Sequence, residues 1–268
     1  MSQAYRSFFG LSREPFSSEL KVDEILQTPS VLSVADRVEY AIRLGAMALI
    51  TGEVGSGKST ALRFAISRLH PSEYRLLWVT AGGGSSLELY RQIALTLEVE
   101  TSSFSRAVLT RIIRRAILEL TGKKQKVVLL IDEASLLRLE VFAELHTLTQ
   151  FEGDSKPLLP ILLAGQNNLL DKLYWKTSLP FSSRIIARSH LKGADRQGME
   201  DYLNHHLRIA GLNHPVFSEQ AVTAIHQGSG GLFRKANHLA RGALIAAAAE
   251  KCPQVSAEHV RLASTELI

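Results

Sequence analysis

The stretch Gly52-Glu53-Val54-Gly55-Ser56-Gly57-Lys58-Ser59-Thr60 constrains this chain more than any other, because the pattern G-x-x-x-x-G-K-[ST] stands between two segments of different periodicity. Ahead of it, Ala46-Met47-Ala48-Leu49-Ile50 is a short, continuous apolar run of the kind that forms a buried strand. Behind it, Ala61-Leu62-Arg63-Phe64-Ala65-Ile66 reads as a helix. The stretch is therefore a glycine-rich bridge from strand to helix, the entry to an α/β sheet.

Each fixed position has a physical reason. Gly52 and Gly57 let the backbone bend so that successive N–H groups point inward at phosphate oxygens, and the new helix adds the positive end of its dipole. Lys58 is placed to neutralise β- and γ-phosphates, and the Ser59 hydroxyl to coordinate magnesium. Thr60 is next along the same helix and reads as structural. Gly52 through Thr60 is thus expected to hold a nucleoside triphosphate.

A second motif adds hydrolysis. Lys126-Val127-Val128-Leu129-Leu130-Ile131-Asp132-Glu133-Ala134 is apolar, rich in β-branched residues, too short for a helix, and ended by two carboxylates. That is the pattern of a buried parallel strand whose acids emerge at the carboxyl edge, where such sheets bind ligands. Asp132 is expected to hold the magnesium ion through its water shell, and Glu133 to polarise the attacking water.

The length of 268 residues and 46% hydrophobic content allow one α/β domain with a smaller companion. Nothing approaches the roughly 20 apolar residues that span a bilayer, and Met1-Ser2-Gln3-Ala4-Tyr5-Arg6 has no signal-peptide core, so a cytoplasmic chain without membrane contact is expected. The single cysteine, Cys252, excludes an internal disulfide and a cysteine-based metal cluster, and is expected to pack near the end of an alanine-rich helix. His205 and His206, being adjacent, point to different sides of a helix and read as a solvated pair.

A formal charge of +5 fits a surface that meets polyanions. From Ser105 to Leu120 the pattern is helical, with Arg111, Arg114 and Arg115 forming a basic stripe opposite Leu109, Ile112, Ala116 and Leu120. Lys123, Lys124 and Lys126 follow. Thr101, Ser102, Ser103 and Arg106 stand at the helix entrance, where hydroxyls, free N–H groups and a guanidinium suit a phosphate backbone. The same residues also read as a solvated helix face. With aromatic residues at 7%, base-specific readout is not expected.

Strands are expected at Ala46 to Thr51, Arg75 to Thr80, Val127 to Ile131 and Leu159 to Ala164, with helices between them as in a doubly wound sheet. The fourth ends in Gly165-Gln166-Asn167-Asn168, where Gln166 either orients the lytic water and senses the γ-phosphate or belongs to a plain turn. Three parts follow: an entry segment with a helix over 1–45, a nucleotide-binding α/β domain over 46–190, and a helical domain over 191–268. In the last, amphipathic segments Asp195 to Ala210, Ser218 to Gln227, Phe233 to Cys252 and Ser256 to Ser264 are separated by glycine and proline breaks.

The order of phosphate loop, Ile-Asp-Glu-Ala strand end, Gly-Gln strand end, Ser183-Arg184-Ile185 and Gly230-Gly231-Leu232-Phe233-Arg234 resembles the AAA+ ATPases. The entry Tyr5-Arg6-Ser7-Phe8-Phe9-Gly10-Leu11 with Pro15-Phe16 is similar to that of the ExeA-like group within them. The resemblance covers nearly the whole chain. It implies a P-loop AAA+ parallel sheet sandwiched by helices, with a small C-terminal all-α lid, and ATP as the nucleotide. It assigns Arg234 to the γ-phosphate of its own subunit and Arg184 to that of a neighbour, with Arg188 as a second candidate and a surface ion pair as the plain alternative for Arg184. A shared site implies a homo-oligomer, either a ring or a helical filament.

Relatives in the group fall into two functional classes. Secretion-assembly ATPases carry a membrane helix and a cell-wall-binding region after the ATPase domain. Stand-alone members resemble transposition regulators of the Mu B type, which bind double-stranded DNA, assemble with ATP and recruit a transposase. The compact length, basic balance and arginine helix favour the second class. The aromatic entry around Phe8, Phe9 and Phe16 is expected either to cover the adenine side or to pack in a core.

Overall fold

The computed structural model of the protein describes residues 2–82, 85–100, 103 and 105–265. Thr101 and Ser102, two of the expected phosphate-backbone contacts, lie outside them. The chain divides into two compact units, Pro29–Gly52 with Lys58–Leu191, and the residues up to Thr28 with Glu53–Gly57 and those from Lys192 on. The entry expected over 1–45 is thereby divided. Its first part packs in the helical unit, and its helix in the α/β unit.

The α/β unit is built on five parallel strands: β1 (Met47–Gly52), β2 (Tyr74–Thr80), β3 (Lys126–Asp132), β4 (Ile161–Gly165) and β5 (Ile185–Leu191). Their order is β2-β3-β4-β1-β5. β1, β4 and most of β3 are wholly buried, which explains their unbroken apolar sequences, since strands covered on both faces show no alternation. Registers of Thr51 with Gly165, Ile131 with Leu163 and Thr80 with Asp132 bring the carboxyl ends of these strands to one edge.

The covering helices include α2 (Pro29–Arg43) and α3 (Lys58–Ser67), which pack on β1 and on each other, and α4 (Ser86–Thr96), which packs on β2. α5 (Arg106–Gly122) lies against β3, and α6 (Leu139–Thr149) packs on α4. The buried face of α5 is Leu109, Ile113 and Ile117, with Ala116 and Leu120 partly buried. The expected face is thus one residue out of phase at Ile112, because the i, i+4, i+8 row points inward instead.

The fifth strand, β5, was not among the expected elements. Ile185, Ala187, Ser189 and Leu191 are buried while Ile186, Arg188 and His190 are exposed. That alternation is the signature of an edge strand with one free face. It pairs along β1 from Met47–Ile185 to Gly52–Leu191.

In the helical unit, α9 (Arg196–Ile209), α10 (Glu219–Ser229), α11 (Phe233–Ala249) and α12 (Ala257–Thr265) surround a core of Met199, Leu203, Leu207, Ile225, Leu239 and Leu244. Two helix starts are capped by side chains. Asp195 accepts from the Gly198 N–H at 2.7 Å, and Ser218 from that of Ala221 at 3.1 Å. From the entry, where α1 (Ser2–Phe9) lies, Tyr5, Phe9, Leu11 and Phe16 join this core while Phe8 is exposed. Phe9 and Phe16 are therefore core residues.

Near the chain's end, Glu250, Cys252 and His259 bring a carboxylate oxygen, a sulfur and a ring nitrogen within 4.8 Å of one another. The Ser256 backbone N–H donates to His259 Nδ1 at 2.9 Å. This places the ring proton on Nε2, 3.0 Å from Glu250 Oε2. The trio ties the end of α11 to the start of α12, and its ring nitrogens have no lone pair left for a metal.

His206 corrects the reading of a solvated pair. It is 2% exposed, stacked on Phe16 at 5.5 Å between centroids and 4.3 Å from Tyr202. It falls on the same α9 row as Met199 and Leu203, which the 3.6 period dictates. Its Nδ1 is buried without a partner. Burial, with His205 adding to it, pushes its pKa down to about 3. The folded protein therefore keeps the ring neutral, while the unfolded chain takes up a proton below about pH 6.5. Stability is lost as pH falls from about 6.5 towards 3, by about 1.4 kcal/mol per pH unit from this group. Urea unfolding at pH 7 and pH 5 should show wild type losing about 2 kcal/mol relative to His206→Phe, and a difference independent of pH would contradict the account.

Candidate functional site

The loop after β1 takes its shape from Gly55 and Gly57, with φ of +85° and +92°. Gly52, expected to bend as well, is the last residue of β1, so the turn begins after it. Lys58, the first residue of α3, is 7% exposed and folds back so that Nζ donates to the Gly52 carbonyl at 3.0 Å. The bond returns the ammonium to the carboxyl end of β1. Glu53, Val54 and Ser56 supply the intervening backbone, with Ser56 buried and Val54 exposed, and Thr60 continues α3.

Ser59 and Asp132 meet directly. The Ser59 hydroxyl donates to Asp132 Oδ2 at 2.9 Å, joining the first turn of α3 to the end of β3. Asp132 Oδ1 accepts the Glu133 backbone N–H at 2.9 Å. Asp132 as a whole is 9% exposed. Two convergent hard oxygens on rigid elements suit magnesium, which takes few protein ligands and keeps several waters.

Glu133 stands one residue beyond the strand, in the left-handed region with φ of +52° and ψ of +32°. For a side chain with a Cβ this costs about 1–2 kcal/mol. The structure maintains it by fixing the short 3₁₀ turn Ala134–Leu136 that follows. Lys172 of α7 (Asn168–Tyr174) donates to the carbonyls of Ser135 at 2.6 Å and Leu137 at 2.7 Å. Gly165 lets β4 end against the same turn, because a Cβ there would lie 2.9 Å from the Ser135 nitrogen. Gln166, directly after it and half-buried, thus emerges beside the turn that carries Glu133. Lys172 was not found by sequence reasoning. A lysine in a short amphipathic helix gives no local sign that it caps a distant turn.

In the helical unit, Gly230 ends α10 with φ of +61°. Gly231, at +77°, passes so close to Ala194 that a Cβ would lie 2.3 Å from its carbonyl oxygen. This crossing sets the start of α11, where Arg234 is exposed in the first turn and its backbone N–H faces the Gly55 carbonyl at 3.4 Å. Gly55 is again obligatory, since its Cβ would lie 2.8 Å from that of Arg234. The sequence motifs Gly-Gly-x-x-Arg and Gly55 are therefore two sides of one contact.

The remaining expected residues are placed differently. Arg184 is 24% exposed at the side chain and is held within its own chain by Asp154 and by Thr149 Oγ1 at 3.1 Å. Arg188 is exposed, 3.5 Å from the Tyr174 hydroxyl. On α5, Arg106 pairs with Glu144 and Arg115 with Glu119 at 2.8 Å. Arg114 donates to the Gln150 carbonyl and lies 5.0 Å over the Phe151 ring. Arg111 is exposed, and Ser103 is half-buried before the helix. The expected stripe is thus largely engaged in contacts within the chain.

The comparisons with known proteins bear on the fold and the family. Residues 42–173 match the model of an AAA domain. The chain is 30% identical over 272 residues to the general secretion pathway protein A of Aeromonas hydrophila, covering 98% of this chain and 48% of that protein. It therefore spans about half the length of that curated relative. Among solved structures it resembles Cdc6p of Pyrobaculum aerophilum, with a TM-score of 0.76, 17% identity and coverage of 94% and 70% of the two chains. The Aeropyrum pernix ORC1 protein in complex with DNA gives 0.68 and 17%, covering 92% and 67%. The Thermotoga maritima RuvB branch migration motor gives 0.59 and 18%, covering 91% and 70%. Among the described residues no helix is long and apolar enough to cross a membrane.

The left-handed backbone at Glu133 has a measurable consequence. Asn tolerates that region, so Glu133→Asn should raise stability by about 0.5–1 kcal/mol in urea unfolding, and a loss of stability would show that the glutamate side chain itself holds the turn. Fold, strand-end motifs and a relative matched over 98% of this chain together identify it as an AAA+ ATPase similar to the ExeA-like group.

Proposed function

We propose that this chain is an oligomeric ATP-driven switch that binds double-stranded DNA and delivers it to a transposase. The observation that carries the ATP-driven part is the joined set Lys58, Ser59, Asp132 and Glu133, on the edge where β1 and β3 end. Residues Gly52 to Thr60 cradle the phosphates, and the Lys58 ammonium neutralises the β- and γ-oxygens. Ser59 and Asp132 hold magnesium, which supplies further charge neutralisation when bound. Glu133 orients the lytic water and takes its proton. Gln166 fixes that water's position, and Arg234 reports the γ-phosphate to the helical unit. Arg184 stabilises charge on a neighbour's nucleotide, which makes ATP part of the subunit interface of a ring or filament.

The DNA reading is supported by the basic balance, by exposed Arg111 with Lys123, Lys124 and Lys126, and by the DNA-bound structure among its fold relatives. Ser103 and Arg106 complete the proposed phosphate-backbone track, with Arg114 and Arg115 joining it on release from their own-chain partners. A second reading is favoured by the curated relative, whose name places it in general secretion. There the switch assembles proteins, and the α5 arginines remain in their ion pairs.

Lys58→Ala should lower ATP affinity by at least about 100-fold in equilibrium binding, and retained affinity would remove the loop from its role. Glu133→Gln should keep ATP binding and slow hydrolysis by about 100-fold or more, prolonging the assembled state seen by light scattering. Filter binding of duplex DNA should require ATP, fail with ADP, and fall steeply with salt. Binding indifferent to nucleotide, or none at all, would favour the secretion-type reading.

A further inference from the structure

The turn Phe151–Lys156 carries three successive residues with positive φ: Glu152 at +46°, Gly153 at +63° and Asp154 at +73°. Only the glycine adopts this region without steric cost. The turn is closed by an antiparallel bridge between Phe151 and Lys156. Within it, Lys156 pairs with Glu152 at 2.7 Å, and the Ser155 hydroxyl donates to the Glu152 carbonyl at 2.8 Å. From outside, Arg114 holds its base through the Gln150 carbonyl and the Phe151 ring. Backbone strain maintained by this many contacts calls for a purpose.

The one thing the turn projects onto the rest of the unit is the Asp154 carboxylate, which pairs with Arg184. The second guanidinium nitrogen of Arg184 is met by Thr149, whose hydroxyl is oriented by donating to the His146 carbonyl at 2.8 Å. His146, in the same cluster, is held below the usual histidine range by burial and then by the Arg184 charge. Among the described residues, Asp154 is the carboxylate paired with Arg184.

We infer that Asp154 is a positioning residue that retains Arg184 in its own subunit and sets how readily it is passed to a neighbour's γ-phosphate. The inference rests on Arg184 being the arginine shared between subunits. Both terminal nitrogens of Arg184 are engaged, one by Asp154 and one by Thr149, so a phosphate that takes them competes with the carboxylate. A docked ATP, with its more highly charged γ-phosphate, displaces Asp154, whereas ADP does not offer the group. The strained turn thus raises the threshold for assembly in the absence of ATP, and Arg114 links that threshold to α5.

The test is the ATPase rate of the full chain as a function of its own concentration. Asp154→Asn should reach half-maximal rate at about fivefold lower protein concentration than wild type, with the saturated rate unchanged. Asp154→Gly removes the carboxylate and relieves the backbone, so it should fold at least as well and shift the same way. Asp154→Glu should restore much of the wild-type threshold. Unchanged or higher half-saturation in both carboxylate-free variants would overturn the inference, the higher value meaning that Asp154 aims Arg184 at the neighbour. Arg184→Ala should bind ATP but lose turnover at every concentration. If it turns over normally, the shared-arginine reading fails and the inference with it, whereas loss there with no shift at Asp154 removes the inference alone.

Discussion

The hydrogen bond from Ser59 to Asp132 joins groups 73 residues apart at 2.9 Å, and the rest of the α/β unit serves to make it. It requires that α3 begin directly after the loop and that β3 end level with it. Both conditions come from the sheet order, which inserts β4 between β1 and β3 and so separates the two strand ends by one strand width, about 4.8 Å on each side. Chain crossovers diverge at this point, leaving a crevice at the carboxyl edge. An antiparallel arrangement of the same strands would send half of those ends to the opposite edge. Burial of β1 and β3 on both faces fixes their register, because a one-residue slip would turn Asp132 into the core.

Glu133 shows where the chain departs from local preference. Asp132 is held by two hydrogen bonds, yet the next residue is in the left-handed region, and its turn is clamped by Lys172 and by the close approach of Gly165. The result is a glutamate whose backbone leaves the strand conformation while its neighbour remains in it. Two adjacent acids would otherwise project to opposite faces of the sheet. The positive φ re-aims the second acid, and the clamp, built from α7 and β4, is what sustains it.

Much of this was legible in the sequence because the strongest signals were local. The Gly52–Thr60 loop, the Val127–Asp132 strand and the helical breaks at Gly230 and Gly231 all have fixed chemistry at fixed spacing. β5 was not found, because Ile-Ile-Ala-Arg-Ser-His-Leu alternates only weakly and is interrupted by one apolar residue on its exposed face. Adjacency to His205 shows only that the two rings point to different sides of a helix, and it is long-range packing against Phe16 that puts His206 on the buried side. Arg184 and Arg106 were legible as residues but not as pairs. Their partners Asp154 and Glu144 lie on other elements, and no spacing rule connects them.

Those pairs also change what the basic composition means. An arginine beside a carboxylate contributes no net field, so Arg106 and Arg115 add little to the attraction of a polyanion. The exposed charge that remains near α5 is Arg111 with Lys123, Lys124 and Lys126. The lysines stand at the amino end of β3, and seven residues of strand, roughly 20 Å, separate that end from Asp132. A polyanion bound there lies beyond the screening distance of about 8 Å from the nucleotide edge, so direct electrostatics do not couple the two. Any coupling of the proposed DNA site to the nucleotide edge would need a rigid element that reaches both levels. α5 spans them: its first residue, Arg106, pairs with α6, its middle holds the Phe151–Lys156 turn through Arg114, and the lysines follow its end.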